Sequence, residues 1–202
     1  MNQFISEKLQ TRVQSVRKNP RYQVCKMLYL VSFGLGFIMV LLLGKNFLAG
    51  TELLSVEALI EVRNASLDGK KFLKYIFGQR FLIFSAGVIL WWWNLGRLYV
   101  YGLLAWTGFS MGSCMYICLL RYALKGFFLW FFLYFPHALF YAGAIICGMI
   151  LSNGVHRDRQ VKIKFLWQNG LWGILLLVLC AIGIYTEGTW NAAMLKDFLQ
   201  YF

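Results

Sequence analysis

The sequence predicts an all-α, polytopic membrane protein, and three observations indicate that fold class. Hydrophobic residues make up 60% of the 202-residue chain and charged residues only 14%, whereas a soluble domain contains about 45–50% apolar and about 25% charged residues. The mean hydropathy is +0.61. The apolar residues also form long runs, and a helix in lipid satisfies its own backbone hydrogen bonds. We therefore expect a single membrane domain with about five transmembrane helices, although four or six also fit the pattern.

The charge balance is strongly basic, with a net charge of +12 and a pI of about 9.7. In a membrane protein, basic residues concentrate in loops that face anionic lipid head groups. The expected partner is therefore the lipid bilayer, and no nucleic acid is expected. The five cysteines lie within or beside apolar runs, so we interpret them as small residues at helix contacts rather than as disulfides, metal ligands or redox groups. No cofactor or metal is expected.

The N-terminal segment, residues 1–26, is polar and basic, with apolar residues at helical spacing between Ile5 and Val16. This pattern predicts an amphipathic helix that lies on the cytoplasmic surface of the membrane. The first span, residues 27–44, follows directly. Basic residues flanking a first span favour a cytoplasmic N-terminus.

Residues 45–80 form a long segment with charges of both signs, and we expect it to be a helical extracytoplasmic loop. Thr51 is a suitable N-cap for a first helix and Ser66 for a second. Two interpretations remain open at this point. The loop either packs as a cap on the helical bundle or offers the surface on which a partner outside the cytoplasm binds.

Two spans are expected next, at residues 81–93 and 98–120, because this apolar stretch is too long for one bilayer crossing. Asn94 begins the turn between them. Glycines four residues apart share a helix face and let another helix approach closely. The second span carries the candidate glycines Gly102, Gly108 and Gly112, of which Gly108 and Gly112 are four residues apart.

A short basic turn on the extracytoplasmic side, residues 121–125, is expected next. The span after it, residues 126–151, is longer than a bilayer core requires, and Pro136 lies near its middle. Proline lacks an N–H and frees a carbonyl one turn earlier, and some neighbour must satisfy that carbonyl inside the membrane. His137 follows directly. We favour the interpretation that a neutral imidazole bonds to the freed carbonyl, over the alternative that His137 is a functional intramembrane group.

A basic cytoplasmic loop at 152–164, a last span at 165–185 and a tail at 186–202 complete the chain. One face of a short interfacial helix is predicted in the tail, formed by Trp190, Met194, Phe198 and Tyr201. The topology is thus five spans with a cytoplasmic N-terminus and an extracytoplasmic C-terminus. An oligomer is compatible with this layout.

The sequence offers few groups for chemistry. It contains two histidines, no HExxH motif and no phosphate-binding loop. As the spans are drawn here, none contains an acidic residue, and ion-coupled transporters usually keep at least one. We therefore expect neither enzymatic activity nor proton coupling through carboxylates.

Residues 94–151 resemble the stage II sporulation protein M family of bacterial membrane proteins, which carries a Pro-His-Gly-hydrophobic-Phe-Glu-like stretch after a glycine-rich helix. Ala138 stands where glycine is usual, and Tyr141 stands where an acidic residue is common, so the likeness does not extend to a charge there. The rest of the chain is similar in layout only. The residues that match the motif are Pro136, His137, Leu139 and Phe140.

The resemblance implies a non-catalytic scaffold in the bacterial cytoplasmic membrane. In endospore formers the namesake sits at the engulfment septum, between mother cell and forespore, and anchors two peptidoglycan-degrading proteins. Such cell-wall hydrolases would be the partners, bound to residues 45–80 or to the tail. The family also looks distantly like membrane subunits of type-2 ABC exporters. In that alternative, a separate ATPase would contact the N-terminal helix and residues 157–164.

Overall fold

The computed structural model describes residues 20–49, 54–64, 69–93, 95–153 and 170–200, and these residues are almost entirely helical. Four helices among them are long and apolar enough to cross a membrane. The predicted class, an all-α polytopic membrane protein, is therefore confirmed. The helices are α1 (Pro20–Ala49), α2 (Val56–Asn64), α3 (Gly69–Trp92), α4 (Gly96–Tyr134), α5 (His137–Asn153), α6 (Gly170–Thr186), a π-helix (Glu187–Asn191) and α7 (Ala192–Leu199).

Several predicted features lie outside the described residues. They are residues 1–19 of the N-terminal amphipathic segment, the turn residue Asn94, the two proposed caps Thr51 and Ser66, residues 154–164 of the basic loop and residues 165–169 of the last span. Within the described part of the predicted loop, Ser55 caps α2, because its Oγ accepts a hydrogen bond from the Ala58 N–H at 3.1 Å. The loop therefore contains a helix, as expected.

The boundary predicted between residues 80 and 81 is wrong, because α3 runs without interruption from Gly69 to Trp92. Its candidate span, Lys70–Trp92, includes Arg80. The sequence suggested a loop there because charged residues are costly in lipid. The structure resolves that cost by pairing Arg80 with a carboxylate, as described below.

The turn predicted at residues 121–125 interrupts α4. Ala123 has φ 49° and ψ −128°, which is outside the helical region. After it the chain runs back along the first part of the helix, since a methyl group on Gly126 would overlap the Cys118 carbonyl. The Trp130 indole N–H donates to the Met111 carbonyl at 3.1 Å across the same contact.

Three segments meet at one end of the bundle, namely the described parts of the loop 45–80, the turn 121–125 and the tail. The sequence predicts all three on the extracytoplasmic side. The Tyr122 hydroxyl donates to the Leu54 carbonyl at 2.7 Å. Leu59 of α2, Cys118 and Leu129 of α4, and Leu199 of α7 form one buried cluster. At the opposite end, the Trp91 indole lies 3.4 Å from the Leu151 carbonyl. Residues 124–153 therefore run between these two ends, with a break at Pro136, over the range where the sequence predicts the span 126–151.

Glycines allow α1 to pack closely against α4. A methyl group at Gly112 would overlap the Phe33 carbonyl, and one at Gly108 would lie 2.7 Å from the Tyr29 carbonyl oxygen. Across the same contact, Ser113 Oγ donates to the Gly36 carbonyl at 3.2 Å. Gly102 differs from the other two glycines. It is exposed, and a methyl group added there would have no neighbouring atom within 4 Å among the described residues. The contact with α1 therefore passes through Gly108 and Gly112 and not through Gly102.

We expect Gly112→Val to separate α1 from α4 and to lower stability by about 1–3 kcal/mol through overpacking. The free energy of unfolding in mixed micelles measures this. The matched control is Gly102→Val, which meets open space and should leave stability nearly unchanged. Equal losses in the two variants would contradict the packing described here.

A candidate intramembrane polar site

The backbone break at Pro136 is stabilised by a side chain from the C-terminal part of the chain. Proline has no N–H to donate to the Phe132 carbonyl, and the new helix direction leaves the Leu133 carbonyl without its usual donor. Asn191 supplies both bonds, because its Nδ2 donates to Phe132 O at 3.1 Å and to Leu133 O at 2.9 Å. Asn191 therefore joins the π-helix to the broken crossing segment.

The expectation that His137 satisfies the freed carbonyl is wrong, since Asn191 has taken that role. His137 is the first residue of α5 and only 7% exposed. Its Nδ1 has no hydrogen-bond partner among the described residues, and neither does Asn191 Oδ1. The imidazole lies against two phenol rings, with centroid distances of 5.6 Å to Tyr141 and 6.3 Å to Tyr134.

An ion pair links α3 to the π-helix next to His137. Arg80 Nε donates to Glu187 Oε2 at 3.0 Å, and Arg80 Nη2 contacts Glu187 Oε1, so the guanidinium binds the carboxylate through two nitrogens. The Tyr141 hydroxyl donates to Glu187 Oε2 at 2.6 Å. The guanidinium carbon also lies 5.3 Å from the centroid of the Tyr141 ring. Three helical elements thus share one charged cluster.

The physical reason for this arrangement is the cost of charge in lipid. Arg80 and Glu187 both lie within candidate membrane spans. A charged side chain at the centre of a bilayer costs several kcal/mol unless it is paired, and a bidentate arginine–carboxylate pair is among the strongest charge-assisted contacts. The side chains are 37% and 18% exposed respectively, so the carboxylate is the better shielded of the two. We define the polar cluster as Arg80, His137, Tyr141, Glu187 and Asn191.

Most of this cluster was not predicted from the sequence, because Glu187 was expected in a tail and Arg80 in a loop. A continuous apolar helix from Trp172 to Leu199 places Glu187 inside a span, which corrects the statement that no span is acidic. The sequence contains one indication of this longer span, since no proline interrupts residues 172–199. The π-helix at Glu187–Asn191 is a further unusual feature, because π-turns in α-helices are frequent at functional sites.

The sequence-derived site residues separate into three groups. Pro136, His137 and Tyr141 come together at the cluster. Gly108 and Gly112 lie at the α1 contact, while Gly102 is exposed. Phe140 is half-buried on α5, and Asn94 lies outside the described residues.

The tail is helical from Ala192 to Leu199. One residue of its predicted interfacial face packs on the bundle instead. Phe198 packs against Phe132, with ring centroids 4.9 Å apart, and Leu199 is buried. Trp190 and Met194 are exposed. The tail is therefore anchored in the bundle through Phe198, while Trp190 and Met194 face outward. The fourth predicted residue, Tyr201, lies outside the described residues.

The cysteines that share a face of α4 are part of the packed interior. Cys118 is fully buried in the cluster with Leu59 and Leu129, and all five cysteines are free thiols. In the parts of the chain that the structure describes, no group of three or more His, Cys, Asp or Glu side chains is arranged to hold a metal ion.

Comparison with protein-family models, with curated proteins and with solved structures finds no match. The likeness to the stage II sporulation protein M family therefore stays a hypothesis based on the Pro136–Phe140 motif and the glycine spacing. What is established is a polytopic helical membrane protein with an intramembrane polar cluster.

We expect Asn191→Ala to destabilise the protein because the Phe132 and Leu133 carbonyls would lose their donor. A buried unsatisfied polar group costs about 1–3 kcal/mol. The measurement is the free energy of unfolding in mixed micelles. Asn64→Ala, at an exposed position on α2, is the control and should change little. A neutral result for Asn191→Ala would show that the break does not need this donor.

We expect Arg80 and Glu187 to be energetically coupled. Arg80→Met or Glu187→Gln alone leaves one polar or charged partner uncompensated in the membrane, at a cost of about 3 kcal/mol. The double variant should recover part of that loss, because removing both partners removes the uncompensated charge. A double-mutant cycle on unfolding free energies tests this, and purely additive losses would argue against the pair.

Proposed function

We propose that this chain is a non-catalytic membrane scaffold that anchors peptidoglycan-degrading partner proteins at the septum during engulfment. The observation that supports the proposal is a platform at one end of the bundle. We define the platform as α2, the turn around Tyr122, and α7, which the cluster of Leu59, Cys118, Leu129 and Leu199 holds together. The sequence predicts an extracytoplasmic location for all three segments, which is the side where cell-wall hydrolases act.

The outward surface of α2 suits a protein partner. Leu59 is buried, which fixes the orientation of the helix, while Val56 is 54% and Ile60 41% exposed. These two residues are four apart and lie on one face. The exposed Glu57 and Glu61 flank them. An apolar pair bordered by charge has the composition of a small protein-binding surface.

The described polar groups also support a structural role. In the polar cluster, Glu187 is occupied by Arg80 and Tyr141, and the Asn191 amide nitrogen by two carbonyls. These contacts join helices to one another. They hold the platform in position relative to the membrane, which is what a scaffold requires.

Photo-crosslinking in membranes of the native organism tests the proposal. A photoreactive amino acid at Val56 or Ile60 should capture cell-wall hydrolases. The same probe at Leu82, which is exposed on the membrane-spanning part of α3, is the control and should capture no hydrolase. The double variant Val56→Asp/Ile60→Asp should lose the capture while its amount in the membrane stays normal.

A second set of probes, in residues 157–164, examines the exporter alternative. Capture of an ATPase there, without hydrolases on α2, would overturn the scaffold proposal. Capture of hydrolases on α2 alone would support it.

A further inference from the structure

The helix α3 is the least enclosed of the four candidate spans. Only 6% of its apolar stretch is buried, against 17% to 28% in the other three. The residues of α3 that are buried or that lie against the rest of the bundle are Leu73, Ile76, Arg80 and Gly87. Their spacings of three, four and seven residues place them on one face of the helix. The orientation of α3 is thereby fixed, and the opposite face points away from the bundle.

The outward face of α3 has the residue spacing of a coiled coil. Its residues recur at intervals of four, three, four and three, which is the heptad repeat of two helices that pack side by side. We define the outward seam as Tyr75, Gln79, Leu82, Ala86 and Ile89. Ala86 is half-buried and the other four residues are exposed. The seam therefore has the spacing of a helix contact, and the described part of the chain leaves it largely uncovered.

Gln79 places an amide in this seam near the middle of the membrane span. It is the tenth of the 23 residues in the candidate span Lys70–Trp92. Lipid hydrocarbon offers an amide no hydrogen bond, and an unbonded amide in an apolar medium is costly. Glutamine side chains in membrane helices therefore bond to a neighbouring helix. Leu82 and Ile89 are suited to contact with lipid, whereas Gln79 requires a polar partner.

A second copy of this chain supplies that partner at the correct depth. The basic flanking segments orient every copy in the same way, so the α3 helices of two copies lie parallel. A two-fold axis along the membrane normal then brings each seam residue to its own counterpart. An amide has both a carbonyl acceptor and an NH₂ donor, so two Gln79 side chains bond to each other reciprocally. The small side chain of Ala86 lets the two helices approach closely.

We propose that α3 is the interface of a parallel homodimer, in which the outward seams of two copies pack together and their Gln79 amides pair within the membrane. A single polar residue in a heptad seam fixes the register of the helices and the number that associate. This inference does not depend on the scaffold proposal, since the outward seam lies along the membrane span and the platform lies at one end of the bundle.

Oxidative crosslinking of the full-length protein in phospholipid vesicles tests the seam. Leu82→Cys places two thiols opposite each other in a parallel dimer, so we expect a disulfide-linked dimer. The matched control is Val88→Cys, because Val88 is also exposed on α3 but lies outside the seam. None of the five native cysteines lies on α3, and the unsubstituted chain measures their background. Equal linking at the two positions, or none above background at position 82, would overturn the proposal.

A second measurement asks whether the Gln79 amide holds the dimer together. Energy transfer between donor-labelled and acceptor-labelled copies in the same vesicles, over a range of protein-to-lipid ratios, gives the dissociation constant. Gln79→Leu should weaken the dimer about tenfold, while Gln79→Asn keeps an amide and should retain most of the affinity. Gln23→Leu makes the same change at an exposed position on α1 and should have no effect. An unchanged or tighter dimer in Gln79→Leu would contradict the amide pairing, because general apolar contact would then account for the association.

Discussion

The Asn191 amide at the Pro136 break is the contact on which the rest of this structure depends. Lipid provides no water for a freed carbonyl, so a membrane helix can be interrupted only where the protein supplies a donor. Asn191 satisfies two carbonyls at once and thereby fixes the position of the π-helix. Because Glu187 begins that π-helix, the same contact places a carboxylate next to Arg80 and Tyr141.

The ion pair in turn determines where α3 enters the membrane. Without Glu187, an arginine at position 80 would favour a surface location for the residues around it. With Glu187 bound, the helix continues from Gly69 to Trp92. The charged contact and the backbone break are therefore parts of one arrangement that joins α3, the crossing segment and the C-terminal helix.

Local sequence patterns predicted those features of the fold that depend on residues close together in the chain. Apolar runs gave the membrane class, and the spacing of Gly108 and Gly112 indicated a helix contact that the structure places against α1. Pro136 marked the site of the break, and the basic turn at 121–125 marked the reversal at Ala123.

The identity of the carbonyl donor was not predictable in this way. Asn191 lies 59 residues from Phe132 in sequence, and no periodicity shows which distant polar residue will reach a given break. The same reason explains why Arg80 and Glu187 were assigned to a loop and a tail, since each was judged without its partner.

The position of His137 shows how the structure changes the meaning of a motif. Read alone, a histidine directly after a proline in an apolar run suggests a side chain that satisfies the bend. Once Asn191 is seen to satisfy it, an apolar residue at position 137 would serve the bend equally well and would avoid an unpaired nitrogen. A buried ionisable group that the fold does not require is the usual mark of a functional position inside a membrane. The broken helix places the imidazole beside the charged contact, since the Tyr141 ring lies 5.6 Å from it and the Tyr141 hydroxyl donates to Glu187.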